Sequence, residues 1–67
     1  MKYPVEVIEL KDGEEKVVKQ FKKFGRDVTK YVKCMGIHYY DCEYKVKEYT
    51  SQGVEVMGWS KRLQRFF

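Results

Sequence analysis

The sequence contains no alanine and no asparagine, and only one of its 67 residues is proline. Alanine is the strongest helix former, so its absence disfavours long helices. Valine, by contrast, occurs nine times, and β-branched residues suit the pleated, half-buried surface of a sheet. No apolar run approaches the roughly 18 residues that a membrane-spanning helix needs. The composition therefore predicts a strand-rich protein without a membrane segment.

Signals for export are also lacking. The first ten residues carry Glu6 and Glu9 within their apolar stretch, which is untypical of a signal peptide. A chain with two cysteines and no export signal is typical of the reducing cytosol. We therefore expect a cytoplasmic protein that has no membrane partner.

The length of the chain predicts one small domain, residues 1–67, with a basic and aromatic tail at residues 61–67. A domain of this length buries only about 60% of the surface of its unfolded chain, which makes it marginally stable. Hydrophobic residues form 43% of the chain and aromatic residues 16%, so large rings are available to fill a core. That hydrophobic content argues against global disorder.

The Asp12-Gly13 dipeptide predicts a β-hairpin whose first strand covers residues 5–10. Asp-Gly between β-rich runs is the strongest short hairpin signal, because a type I′ turn needs φ > 0 at both central residues. Folding the chain there gives favourable cross-strand pairs: Lys11 with Glu14, Glu9 with Lys16, Glu6 with Lys19, Ile8 with Val17 and Val7 with Val18. A helix would then begin near Asp27, a good N-cap, and end at Gly36.

An alternative for the same region is one long helix over residues 13–35. Its apolar residues recur at spacings of four and three: Val17, Phe21, Phe24, Val28, Tyr31 and Met35. Gly25 would lie in the middle of this helix, at a cost of about 1 kcal/mol relative to alanine. We favour the hairpin for this reason and because the chain lacks alanine.

The second half of the chain predicts two further strands. Residues 37–50 alternate in polarity, with Tyr44 and Val46 on the inward face, and residues 54–60 follow a turn at 51–53. Gly58 is a candidate β-bulge. The predicted fold class is α+β, a small antiparallel sheet with one helix packed on a face in the order ββαββ. The long-helix alternative gives the order βαββ.

Cys34, His38 and Cys42 recur every four residues, which raises the question of a metal site or a disulfide. On a strand, His38 and Cys42 would lie about 13 Å apart, whereas two ligands of one zinc ion lie about 3–4 Å apart. A Cys34–Cys42 disulfide would require the chain to double back, and a reducing compartment opposes it. The pattern favours two reduced, at least partly buried cysteines.

Signatures of catalysis are missing as well. The sequence has no glycine-rich phosphate loop, and Asp41 with Glu43 on one strand face is a common arrangement of solvated carboxylates. A catalytic cysteine would need a histidine and an orienting residue within hydrogen-bond reach. We predict that the protein is not an enzyme and that it uses no cofactor and no metal.

Positive charge is concentrated in two segments. Residues 16–33 hold seven Lys or Arg against one Asp, a net charge of +6, and residues 61–67 add three cations. If the segments meet in space, they form a basic patch. Its candidate binding residues, with two basic residues of the following strand, are Lys22, Lys23, Arg26, Lys30, Lys45, Lys47, Lys61, Arg62 and Arg65. The candidate aromatic binding residues are Tyr39, Tyr49, Trp59, Phe66 and Phe67, of which the first three are expected to be exposed.

These residues fit two kinds of partner. Clustered cations neutralise phosphates and exposed rings stack on unpaired bases, which is typical of nucleic-acid binding. The terminal Phe66-Phe67 pair must instead fold back or find a partner, and aromatic and Arg residues are enriched in protein interfaces. The principal prediction is docking on another protein as an inhibitor, adaptor or regulator. A homodimer is compatible with it, and nucleic-acid binding is the alternative.

The arrangement of the cations in space distinguishes the two kinds of partner. Contiguous unpaired cations beside flat exposed rings would favour nucleic acid. Cations paired with Glu, together with an exposed apolar patch near the tail, would favour a protein.

Overall fold

The computed structural model describes residues 3–39 and 41–66. Within these residues the elements are β1 (Val5–Lys11), β2 (Glu14–Phe21), α1 (Arg26–His38), β3 (Glu43–Thr50), β4 (Gly53–Ser60) and β5 (Arg65–Phe66). All strand pairs are antiparallel, and the sheet order is β2-β1-β3-β4-β5. The predicted α+β class and ββαββ order are confirmed, with the short β5 added. The alternative with a helix over 13–35 is wrong.

The hairpin of β1 and β2 turns at Asp12-Gly13, where φ is 54° and 79°. Both values are positive, as the predicted turn requires. Near the turn the predicted register is confirmed, with Ile8 opposite Val17. Beyond a bulge the register shifts by one, so that Val7 lies opposite Lys19. The predicted pairs Val7 with Val18 and Glu6 with Lys19 are therefore wrong.

The apolar spacing of β2 explains the bulge. Val18 and Phe21 both pack against the core, although residues three apart on a regular strand face opposite sides. The extra residue in β2 corrects this, because it places Phe21 rather than Gln20 opposite the buried Val5. The shift therefore turns the polar Gln20 to the outside.

Helix α1 packs on one face of the sheet through Val28, Val32 and Gly36. The core between them consists of Val5, Val7, Val28, Val32, Cys42, Tyr44, Val46 and Trp59. The predicted helix end at Gly36 is wrong, since the helix continues to His38. A Cβ atom built on Gly36 would lie 3.5 Å from Nε1 of Trp59. Gly36 thus lies inside the helix, against Trp59, and does not end it.

The continuation of α1 displaces the following strand. Strand β3 begins at Glu43, not at residue 37 as predicted. Its alternation agrees with the prediction, since Tyr44 is 2% exposed and Val46 is fully buried. The pairing of β3 with β4 is regular from Lys45 opposite Gly58 to the turn. The predicted bulge at Gly58 is therefore wrong.

Candidate functional site

The exposed side of α1 carries a stripe of positive charge. Arg26, Lys30 and Lys33 follow one another at spacings of four and three residues, which places them on one side of the helix. All three are exposed, and no carboxylate of residues 3–39 and 41–66 lies within 4.0 Å of their charged nitrogens. Ile37 extends the stripe by another turn and is 63% exposed. This side of the helix combines cations that have no ion pair there with an exposed apolar residue.

The C-terminal tail returns to the helix and brings the second basic segment with it. The ring of Phe66 packs edge-on against Trp59 and Phe24, with ring centroids 4.8 Å and 5.3 Å away. Phe24 lies in the loop that leads into α1. The contact therefore brings the two basic segments of the sequence together at Phe24 and Phe66. Arg65 pairs with Ser60 and lies on the opposite side of β5 from Phe66.

We call the resulting surface the helix–tail face. Its exposed residues are Lys22, Lys23, Arg26, Lys30, Lys33, Ile37, Arg62 and Leu63. Leu63 is 51% exposed, so this face has a second large apolar side chain in contact with solvent. Lys61 lies on the same side of the molecule and is engaged in a contact of its own.

Two predicted cations are not part of the helix–tail face, because β3 presents them on the opposite side of the sheet. Nζ of Lys45 lies 2.7 Å from one carboxylate oxygen of Glu15, and Nζ of Lys47 lies 4.0 Å from the other. The hydrogen bond from Lys45, reinforced by the charge of both lysines, holds the pKa of Glu15 below its usual value. The two lysines are thus neutralised within the fold.

The predicted aromatic residues are dispersed. Trp59 is only 7% exposed, so the expectation of an exposed ring there is wrong. Tyr49 is 45% exposed on the open sheet face, where its hydroxyl donates a hydrogen bond of 2.9 Å to Glu6, and this bond raises the pKa of Tyr49. Tyr39 is 49% exposed at the end of α1, and Phe66 is half-buried. Phe67 lies outside the described residues.

A cleft of roughly 200 Å³ opens between the C-terminal half of α1 and the 61–64 segment. It is lined by Lys33, Gly36, Ile37, Trp59, Lys61 and Gln64. The indole of Trp59 and the bare backbone of Gly36 form its floor, since these two groups approach each other closely. The cleft therefore joins the apolar part of the helix–tail face to its cations.

The structure separates the three residues of the Cys34, His38 and Cys42 pattern. His38 belongs to α1, not to a strand, so Cys34 and His38 lie one helical turn apart and both are exposed. Cys42 is buried, and burial raises the pKa of its thiol. Both cysteines are free, and the described part of the chain contains no group of three metal-ligating side chains. The expectation of partial burial holds for Cys42 and fails for Cys34.

Five residues of the helix–tail face and its cleft were not among the predicted binding residues: Lys33, Gly36, Ile37, Leu63 and Gln64. Ile37 was expected to begin a strand, because the helix was expected to end at Gly36. The signal was nevertheless in the sequence, since Lys33 and Ile37 continue the spacing of Arg26 and Lys30.

No helix in residues 3–39 and 41–66 is long and apolar enough to cross a membrane. No family model matches the chain, and neither a curated protein nor a solved structure was found to be similar to it. The functional interpretation therefore depends on the geometry and chemistry of the surface.

Proposed function

We propose that the protein is a small, non-catalytic binding protein that docks on another protein as an inhibitor, adaptor or regulator. Its docking surface is the helix–tail face, and the partner presents an acidic surface. The observation that carries the proposal is the stripe of Arg26, Lys30 and Lys33, which borders an open cleft beside the exposed Ile37.

The charge of the helix–tail face determines the chemistry of the partner. Its cations have no ion pair among residues 3–39 and 41–66, whereas Lys45 and Lys47 on the opposite sheet face are neutralised by Glu15. An acidic protein surface complements the unpaired cations, accelerates encounter and disfavours basic competitors. Electrostatic complementarity thus selects the helix–tail face over the open face of the sheet.

The apolar residues of the face favour a protein over a nucleic acid. Ile37 and Leu63 are 63% and 51% exposed, and such side chains contribute to the apolar centre of a protein interface. Binding of unpaired bases relies instead on exposed aromatic rings. Here Trp59 is buried and Phe66 packs on it, so the rings nearest to the cations are occupied within the fold.

Affinity capture with a charge-matched pair of variants tests the proposal. Wild type, K30Q/K33Q and K16Q/K47Q are immobilised and incubated with lysate that has been treated with nuclease. Each double variant removes two positive charges, but only the first removes them from the helix–tail face. We expect wild type and K16Q/K47Q to capture the same single protein at stoichiometric yield. K30Q/K33Q should not capture it.

Two results would contradict the proposal. Capture that occurs only when the nuclease is omitted would show that the cations contact the phosphates of RNA or DNA. Equal loss in both double variants would show that net charge, and not the helix–tail face, determines binding.

A further inference from the structure

The cleft beside α1 contains a hydrogen-bond donor that the fold does not use, the indole N–H of Trp59. Trp59 is 7% exposed, and its indole N–H has no acceptor among residues 3–39 and 41–66. No side-chain nitrogen or oxygen of those residues is both sealed from solvent and unpaired, so this N–H opens into the cleft. Because the ring that carries it is held in place by burial, this donor is preorganised for an acceptor.

Gly36 makes this donor accessible. It is a buried residue of the helix, and a Cβ atom there would lie 3.5 Å from Nε1 of Trp59. In the interior of a helix, glycine lowers stability more than any other residue except proline. Its presence leaves the indole N–H uncovered at the floor of the cleft, where a methyl group would otherwise be in contact with it.

The positive charge at the cleft that has no ion pair among residues 3–39 and 41–66 is that of Lys33. Lys33 and Lys61 line it together with Gln64, and no Asp or Glu is among the described residues that line it. The 61–64 segment is fixed by a hydrogen bond of 3.2 Å from the amide of Leu63 to Oγ of Ser60. The cleft therefore offers a fixed neutral donor at its floor and positive charge at its rim, which suits an anionic acceptor.

We propose that this cleft binds a carboxylate, namely the side chain of an Asp or Glu residue of the docking partner. The carboxylate accepts a hydrogen bond from the indole N–H of Trp59 and pairs with Lys33 at the rim. Ile37 contacts the methylene groups of the same side chain. This inference rests on the proposed function. It adds to that function one contact that sets the position of the partner on the helix–tail face.

Nuclear magnetic resonance can observe the donor directly, because the chain has one tryptophan and therefore one indole N–H resonance. The probe is hexaglutamate with an acetylated N-terminus and an amidated C-terminus, so that its only carboxylates are on side chains. We expect the indole resonance to move downfield and to saturate as the peptide is added. The amide resonances of Lys33 and Ile37 should move with the same dissociation constant.

Gly36→Ala is the decisive variant, because its methyl group covers the indole N–H without a clash. We expect the indole response to disappear and the affinity for the peptide to fall about tenfold or more. The melting temperature should be unchanged or higher, since alanine is the better helix former. The matched control is Gly25→Ala, which adds the same methyl group where no atom lies within 4 Å, and which should bind as wild type does.

The outcomes separate this inference from the proposed function. If the amides of Arg26 and Lys30 respond to the peptide but the indole does not, or if Gly36→Ala binds as wild type does, the carboxylate site is refuted and the helix–tail face remains. If hexaglutamate produces no response anywhere while oligothymidylate does, both the site and the acidic protein partner are refuted.

Discussion

The carboxylate of Glu15 on β2 lies 2.7 Å from Nζ of Lys45 on β3, and this ion pair passes over the strand β1 that separates the two. Beneath it, Ile8 is 3% exposed although it lies on the face of the sheet that α1 does not cover. Farther along β1, Glu6 accepts hydrogen bonds from Gln20 and Tyr49 on the same two neighbouring strands. Polar side chains thus cover β1 on the face of the sheet where no helix does.

Replacing Glu15 by glutamine should lower the melting temperature at neutral pH. Lys45 holds the pKa of Glu15 below its ordinary value of 4.5, so the folded state keeps this carboxylate ionised in more acidic solution than the unfolded chain does. The stabilisation is therefore present above pH 4.5 and is lost as the pH falls through the lower, folded-state pKa. Thermal melts of both proteins from neutral to acidic pH should show the difference shrinking as the pH falls below 4.5.

The neighbouring Glu14→Gln variant is the control for that series. Glu14 is exposed and has no ion pair in the described part of the chain, so its replacement should leave the melting temperature unchanged at every pH. A difference for Glu15→Gln that persists in acid would show that the ion pair is not its cause.

Truncation of Tyr44 should be among the most destabilising changes in this protein. Its ring is 2% exposed in the core, and its hydroxyl donates a hydrogen bond of 3.0 Å to Glu9. Tyr44→Ala should lower the free energy of unfolding by about 3–5 kcal/mol, as expected for a buried large aromatic residue. Tyr49→Ala, on the open sheet face, should cost about 1 kcal/mol. Urea unfolding measures both, and a loss below about 0.5 kcal/mol for Tyr44→Ala would contradict its inward placement.

The tail should contribute to stability through Phe66. Its edge-on contacts with Trp59 and Phe24 join β5 to the rest of the fold. Because Phe66 is half-buried, Phe66→Ala should cost less than a fully buried ring, about 2 kcal/mol. For a chain of this size that corresponds to a fall of roughly 10 °C in melting temperature.

Leu63→Ala is the matched control in the same tail. Leu63 is 51% exposed, so its truncation should leave the melting temperature nearly unchanged while it weakens association with the partner. A melting temperature that is insensitive to Phe66→Ala would show that the tail does not pack on its own sheet.

The two thiols should differ in reactivity. Cys34 is exposed on α1, whereas Cys42 is buried and burial raises the pKa of its thiol, which reduces the thiolate available for reaction. Under native conditions a thiol reagent should modify Cys34 rapidly and Cys42 only after unfolding. Mass spectrometry of the native and the urea-treated protein identifies the site. Rapid labelling of Cys42 in the native protein, or a disulfide between the two residues, would contradict the structure.

The outer edge of β4 should support weak self-association. Among the described residues, β5 pairs only with the end of β4, so no strand lies beside the edge from Gly53 to Gly58. Val54 and Val56 are 53% and 56% exposed on this strand, and an open apolar edge pairs readily with another chain. Light scattering over a range of protein concentrations should detect association that Val56→Lys reduces. Val17→Lys on β2, where a bulge and charged neighbours protect the edge, should have no effect.

Local chemistry predicted the elements of this fold more accurately than their ends. Asp12-Gly13 determines the first turn because its backbone angles suit few other residue pairs. The alternation in β3 places Tyr44 inward, since side chains of a strand alternate between its faces. The bulge in β2 could not be located from local signals, because it depends on bringing Val18 and Phe21 to the same side of the sheet. The helix end could not be placed either, because Gly36 is a buried helical residue that lies against Trp59, 23 positions farther along the chain (59 − 36).

For the candidate site, the sequence by itself determined the inventory of charge: two basic segments, separated by residues 34–60, which hold four acids and two lysines. Only the tertiary structure decided which cations act together. Sheet pairing places Lys45 and Lys47 within reach of Glu15, whereas the packing of Phe66 on Phe24 and Trp59 brings the tail to the basic side of α1. The physical reason is range: turn and strand preferences act between neighbours in sequence, but the neutralisation of a charge depends on which distant residue folding brings to it.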